Sequence, residues 1–221
     1  MISAEEALKR LRKGNKRFVS DSSIFNKISH KSRCHPLTEY QDPFAIILGC
    51  SDSRAPSEII FDQGLGDLFV IRVAGNIVAP SQIGSIEFAV ERFSTKLVVV
   101  MGHSRCGAIL ATLEGLKQPL DCQSKNLRSI IDRIRPSLTS LDIDKDQESL
   151  LQNAVRANIL SSVHQLQHES NILKNLVKKR NLLILGAEYS LDTGIVSFFD
   201  ELPQERWFGL ALSNIMVLMR R

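Results

Sequence analysis

Four short apolar runs constrain the fold of this chain more than any other feature of its sequence. None of them alternates apolar with polar residues, and turn-forming residues bound each one. A strand with one exposed face alternates, whereas a strand covered on both faces is apolar throughout, as in a parallel sheet. The pattern therefore predicts four buried strands, at Ala45–Leu48, Leu68–Ile71, Leu97–Met101 and Leu182–Leu185.

Helical patterns occupy the segments around these runs. Near the start, Ser3 is a suitable N-cap with Glu6 at the capping-box position, which predicts a helix from Ser3 to about Val19. A last piece, Ala187–Phe199, indicates a hairpin that adds an antiparallel edge strand. Further helices are predicted at Ser81–Phe93, at Cys106–Leu116 and at about Gln147–Arg180, the last of them broken near His168.

Strands that alternate with helices predict an α/β fold. We expect a mostly parallel central sheet of about four strands plus an antiparallel edge strand, flanked by helices. A chain of 221 residues suits one domain with a full core, so we expect a single domain over residues 1–221 with an N-terminal helical arm at about 1–40. The polar segment Lys117–Asp146 is expected to be a surface insertion outside the core.

Composition and charge exclude several classes of protein. The chain is 43% hydrophobic and 24% charged, and no apolar run approaches the ~18–20 residues that cross a bilayer. The first residues lack the apolar segment of a secretory signal. The net charge is only +4, and the densest basic run, Lys178-Lys179-Arg180, ends a predicted helix, where cations favour the dipole. We therefore expect a cytoplasmic protein with neither membrane nor nucleic acid as its partner.

Two of the predicted strands run into residues that can bind a metal. The first is followed by Gly49-Cys50-Ser51-Asp52-Ser53-Arg54 and the third by Gly102-His103-Ser104-Arg105-Cys106-Gly107. In an open α/β sheet, ligands bind beyond the carboxyl ends of the strands. If these strands are neighbours, two thiolates and one imidazole converge there, and zinc prefers such tetrahedral N/S donor sets. Three protein donors leave a fourth position, as in catalytic zinc sites.

The residues alone leave two other interpretations open. A redox thiol site is possible, although the Cys-x-x-Cys motif is absent. A phosphate-binding loop is possible, although neither glycine-rich fingerprint is present.

The motifs together resemble the β-class carbonic anhydrases. That family carries Cys-x-Asp-x-Arg followed about fifty residues later by His-x-x-Cys. The resemblance extends over most of the chain, with residues 20–40 and 117–146 as the exceptions. It includes the segments Leu11–Phe18, Glu58–Arg72, Ala74–Asn76, Gly84–Ala89 and Tyr189–Gly194.

This resemblance implies a function and a role for each matching residue. One zinc ion per chain is held by Cys50, His103 and Cys106, and the enzyme hydrates carbon dioxide reversibly to bicarbonate through a zinc-bound hydroxide. Asp52 and Arg54 form an ion pair beside the metal, and Asp52 becomes a fourth metal ligand when that pair breaks. Because thiolate donors place more negative charge on the metal than imidazoles do, we expect activity that increases above neutral pH.

The resemblance also implies substrate contacts and an assembly. Gln41 lies nine residues before Cys50, where its amide can orient the substrate, and an apolar wall with one backbone donor completes the set, at Phe69, Ala74, Phe88 and Gly107. Family members form dimers or multiples of dimers, with the first helix reaching over the partner and active sites near the subunit interface. We therefore expect a homodimer or a homotetramer.

Some features of the family are absent or stay open. A Trp three residues before the first zinc cysteine marks the branch inhibited by bicarbonate, and Ile47 stands there instead, so no such inhibition is expected. Hydrolysis of carbon disulfide or carbonyl sulfide on the same scaffold, and a non-catalytic zinc protein, are the competing functions. We expect His164 and His168 to be uninvolved and Cys34 and Cys122 to be free thiols. His30 and His35 are possible proton-shuttle residues.

Overall fold

The computed structural model describes residues 2–23, 41–117, 124–142 and 146–199. Its strands are β1 (Ala45–Gly49), β2 (Leu68–Arg72), β3 (Leu97–His103), β4 (Leu183–Tyr189) and β5 (Val196–Phe198). Its helices are α1 (Ala4–Val19), α2 (Ser57–Ile60), α3 (Pro80–Phe93), α4 (Gly107–Lys117), α5 (Lys125–Leu138), α6 (Gln147–Glu169) and α7 (Asn171–Lys178), with a 3₁₀ turn at Ala74–Asn76.

These strands form one five-stranded sheet in the order β2-β1-β3-β4-β5. The first four are parallel, and β5 runs antiparallel to β4 at one edge. The predicted α/β fold, with its buried parallel strands and its antiparallel edge strand, is therefore confirmed. Both β3 and β4 are longer than the apolar runs indicated, and β3 reaches His103 itself.

The order of the strands creates a crevice between β1 and β3. The chain passes from β1 to β2 on one side, and then crosses to β3 on the other side of β1. After β1, the chain enters α2, whose Ile60 packs with Ile47 on one face of the sheet. After β3, the chain enters α4, whose Ile109 packs with Leu48 on the opposite face. Connections that leave in opposite directions open a binding crevice at the carboxyl ends of the two strands.

Helix α1 is fixed to the chain's own sheet. Ser3 accepts a hydrogen bond from the Glu6 backbone N–H at 3.2 Å, which confirms the predicted N-cap. Its apolar stripe, which includes the fully buried Leu11, packs in the same cluster as Ile47. We expected this helix to reach over a partner subunit. Any such contact would use other residues of α1, since the stripe is already covered by its own chain.

The segment predicted to be a surface insertion contributes to the core. Residues 125–138 form α5, whose Ile131, Ile134 and Leu138 are buried, and Ile134 and Leu138 belong to the apolar cluster on one face of the sheet. The prediction for Lys117–Asp146 was wrong because it relied on mean polarity. The apolar residues recur at helical spacing, and one such stripe is enough to bury a helix whose other face is charged.

The long C-terminal helical segment is broken where the sequence indicated. Helix α6 ends at Glu169, and Ser170 caps α7 by accepting a hydrogen bond from the Leu173 backbone N–H at 3.1 Å.

None of the helices in the described residues is both long enough and apolar enough to span a bilayer.

Two adjacent residues of α1 hold it against the end of α2 and the start of β5. Gly14 touches the chain at Phe61, whose carbonyl oxygen would be only 1.7 Å from a Cβ at position 14. The side chain of Asn15 donates to the carbonyls of Ile60 and Gly194, at 3.2 and 2.8 Å, and accepts from the Val196 N–H at 2.9 Å. One buried amide therefore joins α1, the end of α2 and the start of β5.

We predict that Asn15→Ala destabilises the protein strongly. It would leave two carbonyls and one N–H without their partner, and each buried unsatisfied group costs about 1–3 kcal/mol. We expect a loss of about 3 kcal/mol in the free energy of unfolding, measured by chemical denaturation. Lys13→Ala, an exposed substitution in the same helix, serves as the control and should stay within about 0.5 kcal/mol of wild type. Equal stability of the two variants would contradict the role of Asn15.

Candidate metal centre

The crevice between β1 and β3 brings three donor side chains together. Cys50 directly follows β1, His103 is the last residue of β3, and Cys106 directly precedes α4. In the parallel pairing of β1 with β3, Gly49 lies opposite Met101, so β3 extends two residues beyond the end of β1, to His103, and the carboxyl ends of both strands face the same edge of the sheet. The metal-site prediction required these two strands to be neighbours, and they are.

The donor atoms are close enough to share one ion. The two Sγ atoms and a ring nitrogen of His103 all lie within 4.8 Å of one another, and all three residues are buried. The two sulfurs are 3.9 Å apart, far beyond the ~2.05 Å of a disulfide, and both thiols are free. Two sulfurs at ~2.3 Å from a tetrahedral zinc would be about 3.8 Å apart. The spacing of the thiols therefore fits zinc.

His103 presents the correct nitrogen to this cluster. Its Nδ1 lies 2.9 Å from the carbonyl oxygen of Ser104, and a carbonyl can only accept, so Nδ1 carries the proton. The lone pair is then on Nε2, which is buried without a hydrogen-bond partner among the described residues. A buried polar atom without a partner is costly, and a metal ion would satisfy it. The donor set thus fits a borderline-soft divalent cation.

The three donor residues shift one another's pKa values. The hydrogen bond from the Cys106 thiol lowers the pKa of Cys50 to about 4, and the same contact raises the pKa of Cys106. The two thiols therefore share one proton when no cation replaces it. Burial opposes a charge on His103, but the contact with Cys50 and the charges of Cys50 and Asp52 outweigh burial and raise its pKa.

Asp52 is held at the edge of the cluster by Arg54. The Arg54 side chain donates to both carboxylate oxygens, from Nε at 2.9 Å and from Nη2 at 2.8 Å, and its backbone N–H donates to Oδ1 at 2.9 Å. These bonds hold the pKa of Asp52 well below its usual range. Its Oδ2 is also 3.8 Å from Nε2 of His103. The carboxylate is ionised and adjacent to the donors, while Arg54 occupies both of its oxygens.

Arg72, at the end of β2, fixes the loop that carries Cys50 and Asp52. It donates from Nε to the Cys50 carbonyl at 3.0 Å and from Nη2 to the Asp52 carbonyl at 2.6 Å. Sequence reasoning gave this residue no role. The sequence did contain one indication of it: Arg72 is a charged residue directly after the apolar run of β2, and that strand ends beside the loop.

The loop of His103 is fixed from the other side by the β4–β5 connection. The Ser104 N–H donates to the Tyr189 carbonyl at 2.9 Å, and the Ser104 hydroxyl accepts from the Leu191 N–H at 2.9 Å. Arg105 has a positive φ of 55°, which turns the chain so that Cys106 returns towards His103. Its exposed side chain forms a surface ion pair with Asp192, at 3.1 Å.

Four of the predicted substrate residues form two groups. Ala74 and Gly107 lie beyond the ends of strands, whereas Phe69 and Phe88 are a pair of contacting rings. Ala74 is in the 3₁₀ turn after β2, and Gly107 directly follows Cys106, with open space around its Cα. Phe69 pairs with Ile46 and is thus several residues from the end of the strand that carries Cys50. The Phe69 ring contacts Phe88 at 6.3 Å, and Phe88 is 55% exposed.

Gln41 is not brought to the cluster of its own chain. It is exposed and precedes β1, whereas Cys50 follows β1, so the whole strand separates the two residues. Five residues of strand span roughly 16 Å. The sequence spacing of nine residues therefore corresponds to opposite ends of one strand.

Other residues considered from the sequence take no part in the cluster. The rings of His164 and His168 stack at 4.0 Å, and no metal-binding group of three or more donors includes them in the described residues. Ile47, in the place of the regulatory Trp, is fully buried in β1. Cys34, Cys122, His30 and His35 lie outside the described residues.

Comparison with known proteins finds a matching family model and similar sequences. Residues 45–196 match the family model described as carbonic anhydrase. The chain is 37% identical to a carbonic anhydrase of Mycolicibacterium smegmatis over 190 residues, which cover 86% of this chain and 90% of that protein. It is 36% identical to carbonic anhydrase 2 of Mycobacterium tuberculosis over 188 residues, covering 85% and 89%.

Solved structures of β-carbonic anhydrases have a similar fold. The β-carbonic anhydrase CcaA superposes with a TM-score of 0.68 at 26% identity, covering 87% of this chain and 95% of that one. One of two tetrameric β-carbonic anhydrases of Sordaria macrospora superposes with a TM-score of 0.64 at 23% identity, covering 75% and 84%. At that identity the second comparison shows the fold alone.

We predict that, in the metal-free protein, Arg54→Ala raises the pKa of Asp52. Removing the neighbouring cation destabilises the ionised form, and such a cation typically lowers a carboxyl pKa by about 1–3 units. Between about pH 4 and 7 the wild-type carboxylate should stay ionised, whereas in the variant it should begin to take up a proton towards the acid end. The ¹³C shift of the side-chain carboxyl carbon, assigned with Asp52→Asn, measures this. Arg105→Ala is the matched control, and identical titrations in all three proteins would refute the prediction.

Proposed function

The chain belongs to the β-class carbonic anhydrase family, and we propose that it uses one zinc ion per chain to hydrate carbon dioxide reversibly to bicarbonate and a proton. The proposal is carried by one observation. Two free thiols and an imidazole nitrogen that has no hydrogen-bond partner among the described residues lie within 4.8 Å of one another in a buried crevice.

Cys50, His103 and Cys106 would hold the zinc ion. A zinc ion in such a site supplies Lewis acidity, which lowers the pKa of a bound water from 15.7 to about 7 and so provides a nucleophile at neutral pH. The buried thiols exclude bulk water from the donor side of the crevice. Three protein donors leave one position for the reacting groups, which is the difference between a catalytic and a structural zinc site.

Asp52 would act as an acceptor beside that position. It is ionised, and its Oδ2 lies 3.8 Å from the ring nitrogen that faces the cluster. A carboxylate can only accept, so it would orient the attacking water by taking a hydrogen bond from it. Arg54 would keep this carboxylate ionised and, through its two side-chain hydrogen bonds, hold it away from the metal. If that pair broke, Asp52 could become a fourth ligand and close the site.

Two of the predicted substrate residues suit the site of their own chain. Ala74 would contribute apolar surface, and the Gly107 N–H would donate to an oxygen of the substrate. Gln41 lies at the opposite end of β1 from Cys50, so its amide could orient a substrate only in the site of a neighbouring subunit. We propose the same for Phe88, whose ring is exposed.

We propose that the chain assembles as a homodimer or a homotetramer. Strand β2 is at the edge of the sheet and its backbone groups are open to pairing. Three apolar side chains around it in sequence or in contact with it are exposed: Ile59 and Leu65 precede the strand along the chain, and Phe88 contacts its Phe69. A second copy would cover this surface and bring Gln41 and Phe88 towards a site. The similar Sordaria macrospora enzymes are tetrameric.

The donor chemistry also bears on the compartment in which the protein works. Cys50 and Cys106 can bind zinc only as thiolates, and sulfurs 3.9 Å apart could approach and form a disulfide under oxidising conditions. We therefore propose a reducing compartment, the cytoplasm.

We predict that the zinc-loaded protein accelerates carbon dioxide hydration, followed by stopped-flow with a pH indicator, and that its activity increases above neutral pH. The negative charge of two thiolates on the metal is the reason for the alkaline profile. Asp52→Ala should lower kcat/KM by about 10–100-fold, because the acceptor that orients the attacking water is lost. Asp192→Ala removes an exposed carboxylate of the neighbouring loop and should leave the activity unchanged.

The same assay separates the competing functions. A wild-type protein that carries full zinc but does not accelerate hydration would contradict the proposal. If Asp52→Ala then gained activity, the site would be a closed, non-catalytic zinc site. Faster turnover of carbonyl sulfide or carbon disulfide than of carbon dioxide would assign the scaffold to hydrolysis.

We predict that sedimentation velocity of the purified chain at micromolar concentration shows a dimer or a tetramer. Phe88→Asp places a charge on the proposed interface and should shift the population towards monomer. Glu91→Ala, an exposed substitution of the same helix, is the control. A wild-type protein that sediments as a monomer would contradict the proposed assembly.

A further inference from the structure

Ser104, the residue after the histidine donor, is bound twice by the connection between β4 and β5. Its backbone N–H donates to the Tyr189 carbonyl at 2.9 Å. Its hydroxyl accepts a hydrogen bond from the Leu191 backbone N–H, also at 2.9 Å. The two partners are only two residues apart in the chain, so one short segment binds both the backbone and the side chain of Ser104.

Ser104 is also the residue that contacts the ring of His103. Its carbonyl oxygen accepts a hydrogen bond from Nδ1 of His103 at 2.9 Å, which leaves the ring's lone pair on Nε2. Hydrogen bonds to a carbonyl are directional, so the orientation of this carbonyl restricts the orientation of the imidazole. The imidazole is buried, and its orientation therefore depends on contacts within the protein rather than on bulk solvent.

The peptide group that carries this carbonyl needs support, because the next residue has an unfavourable backbone conformation. Arg105 has a positive φ of 55°, in the left-handed region that residues with a side chain rarely adopt. Such a conformation persists only where the surrounding contacts impose it. The ion pair of Arg105 with Asp192 contributes little, since both side chains are more than half exposed. The two hydrogen bonds of Ser104 are therefore the stronger restraint on this peptide group.

The β4–β5 connection that supplies these partners has a well-defined backbone of its own. The Ser190 N–H donates to the Ile195 carbonyl, and the Gly194 N–H donates to the Ser190 carbonyl, both at 2.9 Å. From α1, the Asn15 amide donates to the Gly194 carbonyl at 2.8 Å. A segment restrained in this way can hold a neighbouring loop in one geometry, as a functional site requires.

We propose that Ser104 is a positioning residue for the metal centre, whose hydroxyl, bound to the Leu191 N–H, fixes the carbonyl that orients the His103 ring. This inference rests on the proposed zinc site. Contacts around a metal-binding imidazole fix its tautomer and its ring plane, and their loss typically costs 10–100-fold in metal affinity or activity. Without the hydroxyl, the loop has more freedom, and zinc binding must restore the ordered arrangement. The zinc affinity falls as a result, although the Ser104 side chain supplies no donor atom to the metal.

The test combines two measurements on the full chain: the zinc dissociation constant, from competition with a chelator, and the ligand-field absorption of the cobalt-substituted protein. Ser104→Ala removes the acceptor and should weaken zinc binding by about tenfold. The cobalt bands should also shift, because the imidazole changes its orientation relative to the metal. Ser104→Thr keeps a hydroxyl on the same carbon and should restore both the wild-type zinc affinity and the wild-type bands.

Ser190→Ala is the matched control. Ser190 belongs to the same β4–β5 connection, and its hydroxyl also accepts a backbone hydrogen bond, from the Thr193 N–H at 3.3 Å. The substitution removes the same chemical group and the same type of contact, but none of the contacts of Ser104. It should leave the zinc affinity and the cobalt bands unchanged, even if it lowers the melting temperature. An equal loss of zinc affinity in Ser190→Ala and Ser104→Ala would refute a specific role for Ser104.

The outcomes distinguish this inference from the proposed function. A wild-type protein that binds neither zinc nor cobalt would show that the proposed metal site itself fails. If the wild type binds both ions and Ser104→Ala keeps the wild-type zinc affinity and cobalt bands, the role of Ser104 is refuted. Should Ser104→Ala not fold, the isosteric pair Ser104→Thr and Ser104→Val decides. Only the first of these keeps the acceptor, and equal zinc affinities in the two variants would overturn the proposal.

Discussion

The structure depends on the convergence of two sulfurs and one ring nitrogen in a buried crevice. Each of these groups is costly to bury alone, since a buried thiolate needs a counter-charge and Nε2 of His103 has no hydrogen-bond partner in the described part of the chain. A divalent cation compensates all three at once. The strand order makes the convergence possible, because the connections after β1 and β3 leave on opposite faces of the sheet and open a crevice between them. The binding energy of the metal is then also energy that stabilises the loops which carry the donors.

Around this centre, the structure separates the groups that bind the metal from the groups that orient them. Asp52 is ionised and close to the donors, but Arg54 engages both of its oxygens. Arg72 fixes the backbone of the same loop through two carbonyls. On the opposite side, the β4–β5 connection binds Ser104, whose carbonyl accepts from the His103 ring. The position of each donor therefore depends on elements that are distant from it in sequence.

Much of the fold could be predicted because its signals are local. Unbroken apolar runs indicate strands covered on both faces, and Ser3 marks the start of the first helix. The donor set could be predicted because the two motifs directly follow predicted strands. The insertion at Lys117–Asp146 was misjudged because mean polarity conceals an amphipathic stripe such as that of Ile131, Ile134 and Leu138.

Contacts between segments that are distant in sequence could not be predicted. Gln41 is near Cys50 in sequence, yet the direction of β1 places it at the other end of the sheet. Ser104 precedes Leu191 by 87 residues, and nothing local distinguishes its hydroxyl from that of any other serine in a loop. The charge of Arg72 at the end of an apolar run is visible in the sequence, but its partners are two backbone carbonyls, which the sequence does not identify. Such contacts are set by tertiary packing, which periodicity and motifs do not encode.

The metal content of the purified chain tests the central claim most directly. Elemental analysis of protein expressed with sufficient zinc should find one zinc per chain, and Cys106→Ser should lose it while Cys122→Ser retains it. Folded wild-type protein without stoichiometric zinc, or a Cys106→Ser variant that still holds a full equivalent, would show that this cluster does not bind the metal.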